Sequence, residues 1–173
     1  MIRILPVLWI AATLLSTASN VLAAPPQLYN KTITVSWTVT PNARGDDGSV
    51  LTTPGKQGAI IFISTKGRIF VRGTREAGRY AASKDFAPQD AANTLHFQGS
   101  KLVGARNVEG GANQMVISFD TGYQSCSVSV LFGREGGRAY RWKALDGKMY
   151  TQQGPFVVSG QSCSVREGNP FAE

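Results

Sequence analysis

The chain has 173 residues, 42% of them hydrophobic, and its 18 Lys and Arg residues outnumber 11 Asp and Glu residues to give a net charge of +7. This length excludes a mini-protein that depends on metals or disulfides for its core, and it favours a single domain. The excess of basic residues favours association with anionic partners such as lipid headgroups, acidic glycans, cell-wall polymers or nucleic acid.

Residues 1–23 predict a secretory signal peptide. Arg3 supplies the positive start, the apolar run Ile4–Leu15 follows, and small residues precede the predicted cleavage site after Ala23. The apolar run is shorter than the roughly 20 residues that a membrane-spanning helix needs. We therefore expect 24–173 to be one exported domain, periplasmic or secreted, with no transmembrane segment in the mature chain. Loss of Arg3 with the leader lowers the net charge from +7 to +6.

The first strands are predicted by their hydrophobic patterns. Residues 31–39 alternate between apolar residues and hydroxyl side chains, which indicates a strand with one buried face. Residues 40–57 are rich in Pro and Gly and predict a long loop. Residues 58–64 and 68–73 predict two strands around a short turn at 65–67. The first of these two is a continuous apolar run, so we expect it to be central in its sheet.

A second long loop with short helical turns is predicted at 74–93. Strands then follow one another closely, at 94–98, 101–108, 113–119, 125–132, 139–145, 148–152 and 155–159. Tight turns between them favour antiparallel neighbours in chain order. We therefore expect an all-β domain of about nine or ten short antiparallel strands, as an up-and-down barrel or a strongly curled meander. A two-sheet β-sandwich is the alternative.

Cys126 and Cys163 are the two cysteines of the chain. In an exported protein, two cysteines predict one disulfide. Zinc binding is the competing interpretation, but two widely separated cysteines and the single histidine His96 make a poor ligand set. An oxidised pair also excludes either cysteine as a catalytic nucleophile.

Residues 129–150 combine cationic and aromatic side chains. Their alternation places Trp142 on the inward face and Arg141 and Lys143 on the outward face. We expect Trp142 to pack beside Phe132, so that rings and cations lie on opposite faces and cannot jointly bind a nucleic-acid strand. The predicted core comprises Ile33, Val35, Trp37, Ile61, Ile63, Leu95, Phe97, Met115, Ile117, Phe119, Val128, Val130, Phe132 and Trp142.

The basic segment 65–79 is the better candidate for an anionic contact. Arg68, Phe70 and Arg72 share one face of a predicted strand, so a ring and two cations lie together. The alternative is a charged edge strand that resists pairing with other sheets. The candidate residues are Lys66, Arg68, Phe70, Arg72, Arg75 and Arg79.

Known catalytic and metal-binding patterns are missing from the sequence. There is no nucleophile motif that could use the single His96, no glycine-rich phosphate loop and no paired metal-ligand spacing. Asp46 and Asp47, followed by Gly48, resemble part of a calcium loop but lack its ligand spacing and its distal Glu. We therefore expect no catalytic, cofactor or metal site.

Three functions remain open on this sequence. The first is an exported, non-catalytic binding protein of the cell envelope or extracellular space, whose unidentified ligand is an anionic envelope component, a glycan or a lipid headgroup rather than nucleic acid. The second is a structural or protein-interaction component that uses the loops 40–57 and 74–93. The third is a hydrolase whose dispersed carboxylates meet in space.

Overall fold

The structure, a computed structural model, describes residues 23–76, 89–91, 94–108, 111–131, 141–144 and 146–171. A 3-10 turn, Pro26–Leu28, precedes a succession of β-strands. The strands are β1 (Lys31–Thr40), β2 (Ala43–Gly45), β3 (Val50–Leu51), β4 (Gly55–Ile63), β5 (Ile69–Glu76), β6 (Gln89–Asp90), β7 (Leu95–Gln98), β8 (Lys101–Val108), β9 (Gly111–Phe119), β10 (Cys126–Leu131), β11 (Arg141–Lys143), β12 (Met149–Gln152) and β13 (Val157–Glu167). The all-β prediction is confirmed.

The strands form three antiparallel sheets. The large sheet has the order β13-β1-β4-β5-β6, the meander sheet β10-β9-β8-β7, and the small sheet β11-β12-β2-β3. The meander predicted from residue 94 is confirmed through β10, and β4 has the central position expected of its apolar run. Across the described residues the sheets do not join into a closed barrel, so that form of the prediction is wrong. The arrangement is consistent with a sandwich or meander.

Two predicted boundaries are wrong because backbone pairing extends beyond the apolar pattern. The expected loop 40–57 contains β2, β3 and the start of β4. The expected strand at 155–159 is instead β13, which continues to Glu167 and pairs with β1 along its length. β13 is rich in Ser and mostly exposed, so it lacks the strong alternation that would have revealed it. Within the described ranges, no helix is long and apolar enough to cross a membrane.

The hydrophobic core lies between the large sheet and the meander sheet. Several of its side chains are fully enclosed, including Ile33 and Ile61 from the large sheet and Leu102 and Ile117 from the meander sheet. Most of the predicted core residues are buried: Ile33, Val35, Trp37, Ile61, Ile63, Leu95, Phe97, Ile117 and Phe119. Met115, Val128 and Val130 are partly buried against them. Phe132 lies outside the described residues.

Trp142 is less buried than the sequence pattern predicted, and its predicted neighbour Phe132 lies outside the described residues. It is half-buried in β11, which pairs with β12 in the small sheet. Its ring packs against Tyr150, with centroids 6.2 Å apart, and edge-on against Phe156 at 5.7 Å. The predicted alternation itself is confirmed, since Arg141 and Lys143 on either side are exposed.

The predicted disulfide is present and joins two edge strands of different sheets. Cys126 on β10 and Cys163 on β13 have Cα atoms 5.5 Å apart. A β-bulge lies nearby, where the pairing of β1 with β13 shifts between Ser36 and Thr38, and Gly160 has a positive φ of 58°. The next residue, Gln161, accepts a hydrogen bond from the backbone N–H of Val130 at 2.8 Å. Together these contacts close one corner between the two sheets.

Removing the disulfide should lower the free energy of unfolding by about 3–4 kcal/mol, because the unfolded chain loses its cross-link. The variant is Cys126→Ala with Cys163→Ala, measured by guanidinium denaturation. Wild-type protein in excess dithiothreitol is the control and should match the variant. A loss below about 1 kcal/mol would show that the bond does not constrain the unfolded chain as expected.

Two leucines of β8 and β10 offer a matched test of the core. Leu102 is 0% exposed and Leu131 is 53% exposed. Leu102→Ala should destabilise the fold by about 2–5 kcal/mol, because it leaves a cavity between the sheets. Leu131→Ala should change the free energy of unfolding by about 0.5 kcal/mol or less. Equal losses for the two variants in chemical denaturation would contradict this placement of the core.

Candidate functional site

The basic face is the outward surface of the large sheet at β5, formed by Lys66, Arg68, Phe70 and Arg72. Ile69 is buried and Val71 is partly buried against the core, so the intervening side chains point outward. The predicted shared face of Arg68, Phe70 and Arg72 agrees with this placement.

Arg68 is held by a ring and by a carboxylate. Its guanidinium carbon lies 5.3 Å from the centroid of the Phe70 ring. Its Nη2 donates a hydrogen bond to Asp90 Oδ2 on β6 at 2.6 Å, in an exposed ion pair. Phe70 in turn stacks on Phe62 of β4, with centroids 6.5 Å apart. The guanidinium is therefore positioned on the sheet surface while it remains accessible to solvent.

Arg72 contacts a ring from the C-terminal segment, residues 168–171. Its guanidinium carbon lies 4.9 Å from the centroid of the Phe171 ring. Two hydrogen bonds anchor the start of this segment: Gly168 N–H donates to Asn30 O at 2.7 Å, and the Thr32 hydroxyl donates to Gly168 O at 2.6 Å. The segment thus runs from the end of β13 to β5 on the outward side of the large sheet.

The Nε atom of Arg72 is buried and has no hydrogen-bond partner among the described residues. A buried N–H donor normally has an acceptor, because leaving it unpaired carries a desolvation penalty. Arg72 therefore retains a donor that the described protein groups do not satisfy.

The remaining candidates differ in how far the structure describes them. Lys66 is exposed in the turn before β5, where Ser64 Oγ accepts hydrogen bonds from the backbone N–H groups of Lys66 and Arg68 at 3.3 and 3.1 Å. The side chain of Arg75 and all of Arg79 lie outside the described residues. Phe171 was not among the predicted residues, because its contact with Arg72 depends on the path of the chain after β13.

A second group of polar side chains occupies the same outward face on β1 and β13. These hydroxyl rows consist of Thr34, Ser36, Ser162 and Ser164, and all four residues are exposed. Thr34 pairs with Ser164 and Ser36 with Ser162 in the strand register. The hydroxyl oxygens of Ser36 and Ser162 are 2.7 Å apart and share a hydrogen bond.

The Asp46–Asp47 stretch forms ion pairs within the small sheet. Asp46 pairs with Arg141, and Asp47 Oδ2 accepts a hydrogen bond from Lys148 Nζ at 2.6 Å. The hydrogen bonds from Lys148 and then Ser49 hold the pKa of Asp47 well below 3.8, and Asp47 raises the pKa of Lys148. These pairs join the turn after β2 to β11 and the approach to β12.

Asp146, in the turn before β12, accepts a hydrogen bond from the Tyr150 hydroxyl at 2.8 Å. Its pKa is lowered by the backbone N–H of Lys148 first and by Tyr150 second. In the part of the chain that the structure describes, no group of three or more His, Cys, Asp or Glu residues could hold a metal ion. His96 lies apart from this turn on the meander sheet, where its Nε2 accepts a hydrogen bond from Gln98 at 2.8 Å.

The lowered pKa of Asp47 predicts a pH-dependent stability. A carboxyl whose folded pKa lies below its ordinary value of 3.8 stabilises the fold above pH 3.8, and this contribution is lost as the pH falls towards the folded pKa. Asp47→Asn should therefore destabilise the protein slightly at neutral pH, and the difference from wild type should shrink below pH 3.8. Thermal denaturation across this pH range measures the difference.

The control for this prediction is Lys148→Gln, which removes the main cause of the lowered pKa. Its loss of stability should resemble that of Asp47→Asn, and combining the two substitutions should add little because they remove the same interaction. A stability difference for Asp47→Asn that does not change with pH would contradict the prediction.

No protein-family model, no curated protein and no solved structure matches this chain. The contacts, burial and charge of the described residues indicate which ligand chemistry the basic face suits. Those contacts are a pair of ring-supported guanidiniums, an exposed lysine and adjacent rows of hydroxyl groups on one sheet face.

Proposed function

We propose that residues 24–173 form an exported, non-catalytic binding protein whose anionic ligand docks on the basic face. The signal-peptide pattern and the Cys126–Cys163 disulfide support export, because disulfides persist in oxidising compartments. The net charge of +6 that remains on residues 24–173 without Arg3 favours association with polyanions of the cell envelope or extracellular space.

The observation that carries this proposal is the support of two guanidiniums by aromatic rings on one outward sheet face. Arg68 lies over Phe70, and Arg72 lies against Phe171. A guanidinium that lies against an aromatic ring can still donate hydrogen bonds from its N–H groups, which suits carboxylate, sulfate or phosphate oxygens. The rings also reduce the freedom that each side chain would lose when a ligand binds.

The ion pair of Arg68 with Asp90 is compatible with ligand binding. Both side chains are exposed, at 62% for Arg68 and 42% for Asp90. Exposed ion pairs contribute only about 0–1 kcal/mol. An incoming anion can therefore share or replace the Asp90 contact at low energetic cost.

The same geometry disfavours single-stranded nucleic acid as the ligand. Base stacking needs an aromatic face that is free to receive a base. Guanidiniums already lie against the rings of Phe70 and Phe171. Binding should therefore depend on charge and hydrogen bonding rather than on stacking.

Lys66→Gln combined with Arg68→Gln should weaken binding to polyanions about tenfold at low salt, since charged hydrogen-bond donors are lost. The probes are polygalacturonate and vesicles of mixed phosphatidylglycerol and phosphatidylcholine, with dissociation constants measured at low and high salt. The dependence of affinity on salt should also decrease.

The matched control is Lys101→Gln with Lys143→Gln, which removes the same charge from exposed positions on the meander sheet and the small sheet. The control should bind nearly as well as wild type. Equal weakening by both pairs would show a nonspecific effect of net charge and would overturn the proposed site. Unchanged melting temperatures confirm that all variants are folded.

A further inference from the structure

The outward face of the large sheet combines cations at β5 with exposed hydroxyl groups at β1 and β13. We propose that this face binds an acidic polysaccharide, with a sugar carboxylate at Arg72 and sugar hydroxyls at the hydroxyl rows. This inference rests on the proposed function, because it names the ligand class and extends the site from the basic face to the hydroxyl rows.

Strand register connects the two parts of this surface. Ser164 pairs with Thr34, Thr34 with Ile60, and Ile60 with Arg72. Neighbouring strands are about 4.8 Å apart, so this line of residues spans roughly 14 Å from β13 to β5. A linear chain of sugars that lies across the strands can reach the hydroxyl groups and the guanidinium together.

The Arg72 side chain is suited to a carboxylate. Its Nε–H is buried without an acceptor among the described residues, and this donor lies on the same planar fork as the terminal nitrogens. A carboxylate can accept from Nε and a terminal nitrogen together, which gives a bidentate contact. Because Nε is buried, a carboxylate can reach it only after a small shift of the groups that cover it.

Exposed hydroxyl groups favour a glycan over a lipid surface. Serine and threonine hydroxyls both donate and accept hydrogen bonds, as sugar hydroxyls do. Binding into a membrane interface scales with buried apolar area. One large hydrophobic side chain is strongly exposed among the described residues of this outward face. It is Val157, at the start of β13, which is 63% exposed. One such residue provides little area for insertion between lipids.

The test removes hydroxyl groups without changing charge. Thr34→Val with Ser164→Ala should weaken binding to polygalacturonate about fivefold or more, because two hydrogen-bonding groups are lost. Binding to phosphatidylglycerol vesicles should not change. The matched control is Ser127→Ala with Ser129→Ala, at exposed positions of β10 on the outward face of the meander sheet.

Arg72 is tested separately with two substitutions. Arg72→Gln should weaken binding to polygalacturonate about tenfold, because a charged donor is lost. Arg72→Lys should not restore wild-type affinity, since an ammonium cannot make the bidentate contact. Full rescue by Lys would overturn the bidentate contact. Circular dichroism and melting temperature verify that each variant retains the fold.

The outcomes separate this inference from the proposed function. If the hydroxyl variant binds polygalacturonate normally while Lys66→Gln with Arg68→Gln still weakens binding, the polysaccharide surface is overturned and the basic face remains. Equal weakening of vesicle binding by the hydroxyl variant would identify a general anionic surface and also overturn it. If wild-type protein binds neither probe at low salt, both proposals fail.

Discussion

The disulfide and the hydrogen bond that join the large sheet to the meander sheet at one corner determine which side chains of β13 face solvent. Cys126 and Cys163 join edge strands that belong to different sheets, and Gln161 caps the backbone N–H of Val130 beside them. Because side chains alternate along a strand, an inward Cys163 requires Ser162 and Ser164 to face outward. The covalent constraint on the core therefore also sets which groups β13 presents to solvent.

The same relation between burial and exposure produces the basic face. Ile69 and Val71 of β5 contact the core, so Phe70 and Arg72 must lie on the opposite side. A shift of one residue in register would bury Arg72 and expose the apolar side chains, at a large energetic cost. Burial of Ile69 and Val71 therefore fixes the side of the sheet on which the arginines lie. The rings of Phe70 and Phe171 determine the local orientation of the guanidiniums.

The small sheet uses its charges differently. Asp47 is paired with Lys148, and Asp146 accepts a hydrogen bond from Tyr150. These interactions satisfy the carboxylates and lower their pKa, whereas a general acid needs a carboxyl with a raised pKa. Asp46 and Asp47, which resembled part of a calcium loop, form ion pairs that join the turn after β2 to β11 and to the approach to β12.

Local periodicity by itself determined the all-β class, the buried face of β1 and the shared face of Arg68, Phe70 and Arg72. Two cysteines in a chain with a predicted leader were enough to predict their disulfide. Each of these inferences depends on neighbours in sequence or on residue type, because the alternation of a strand repeats every two residues. The meander sheet was predictable for the same reason, since tight turns join strands that are adjacent in the chain.

Only the tertiary structure decided the contacts between distant parts of the chain. β13 pairs with β1 through backbone hydrogen bonds, which its exposed, Ser-rich sequence does not reveal. Trp142 packs with Tyr150 and Phe156 in a separate sheet, although its alternation was predicted correctly. Phe171 reaches Arg72 because the C-terminal segment crosses the outward side of the large sheet. A side-chain pattern specifies which face of a strand is buried, but the choice of partner depends on how all the buried faces pack together.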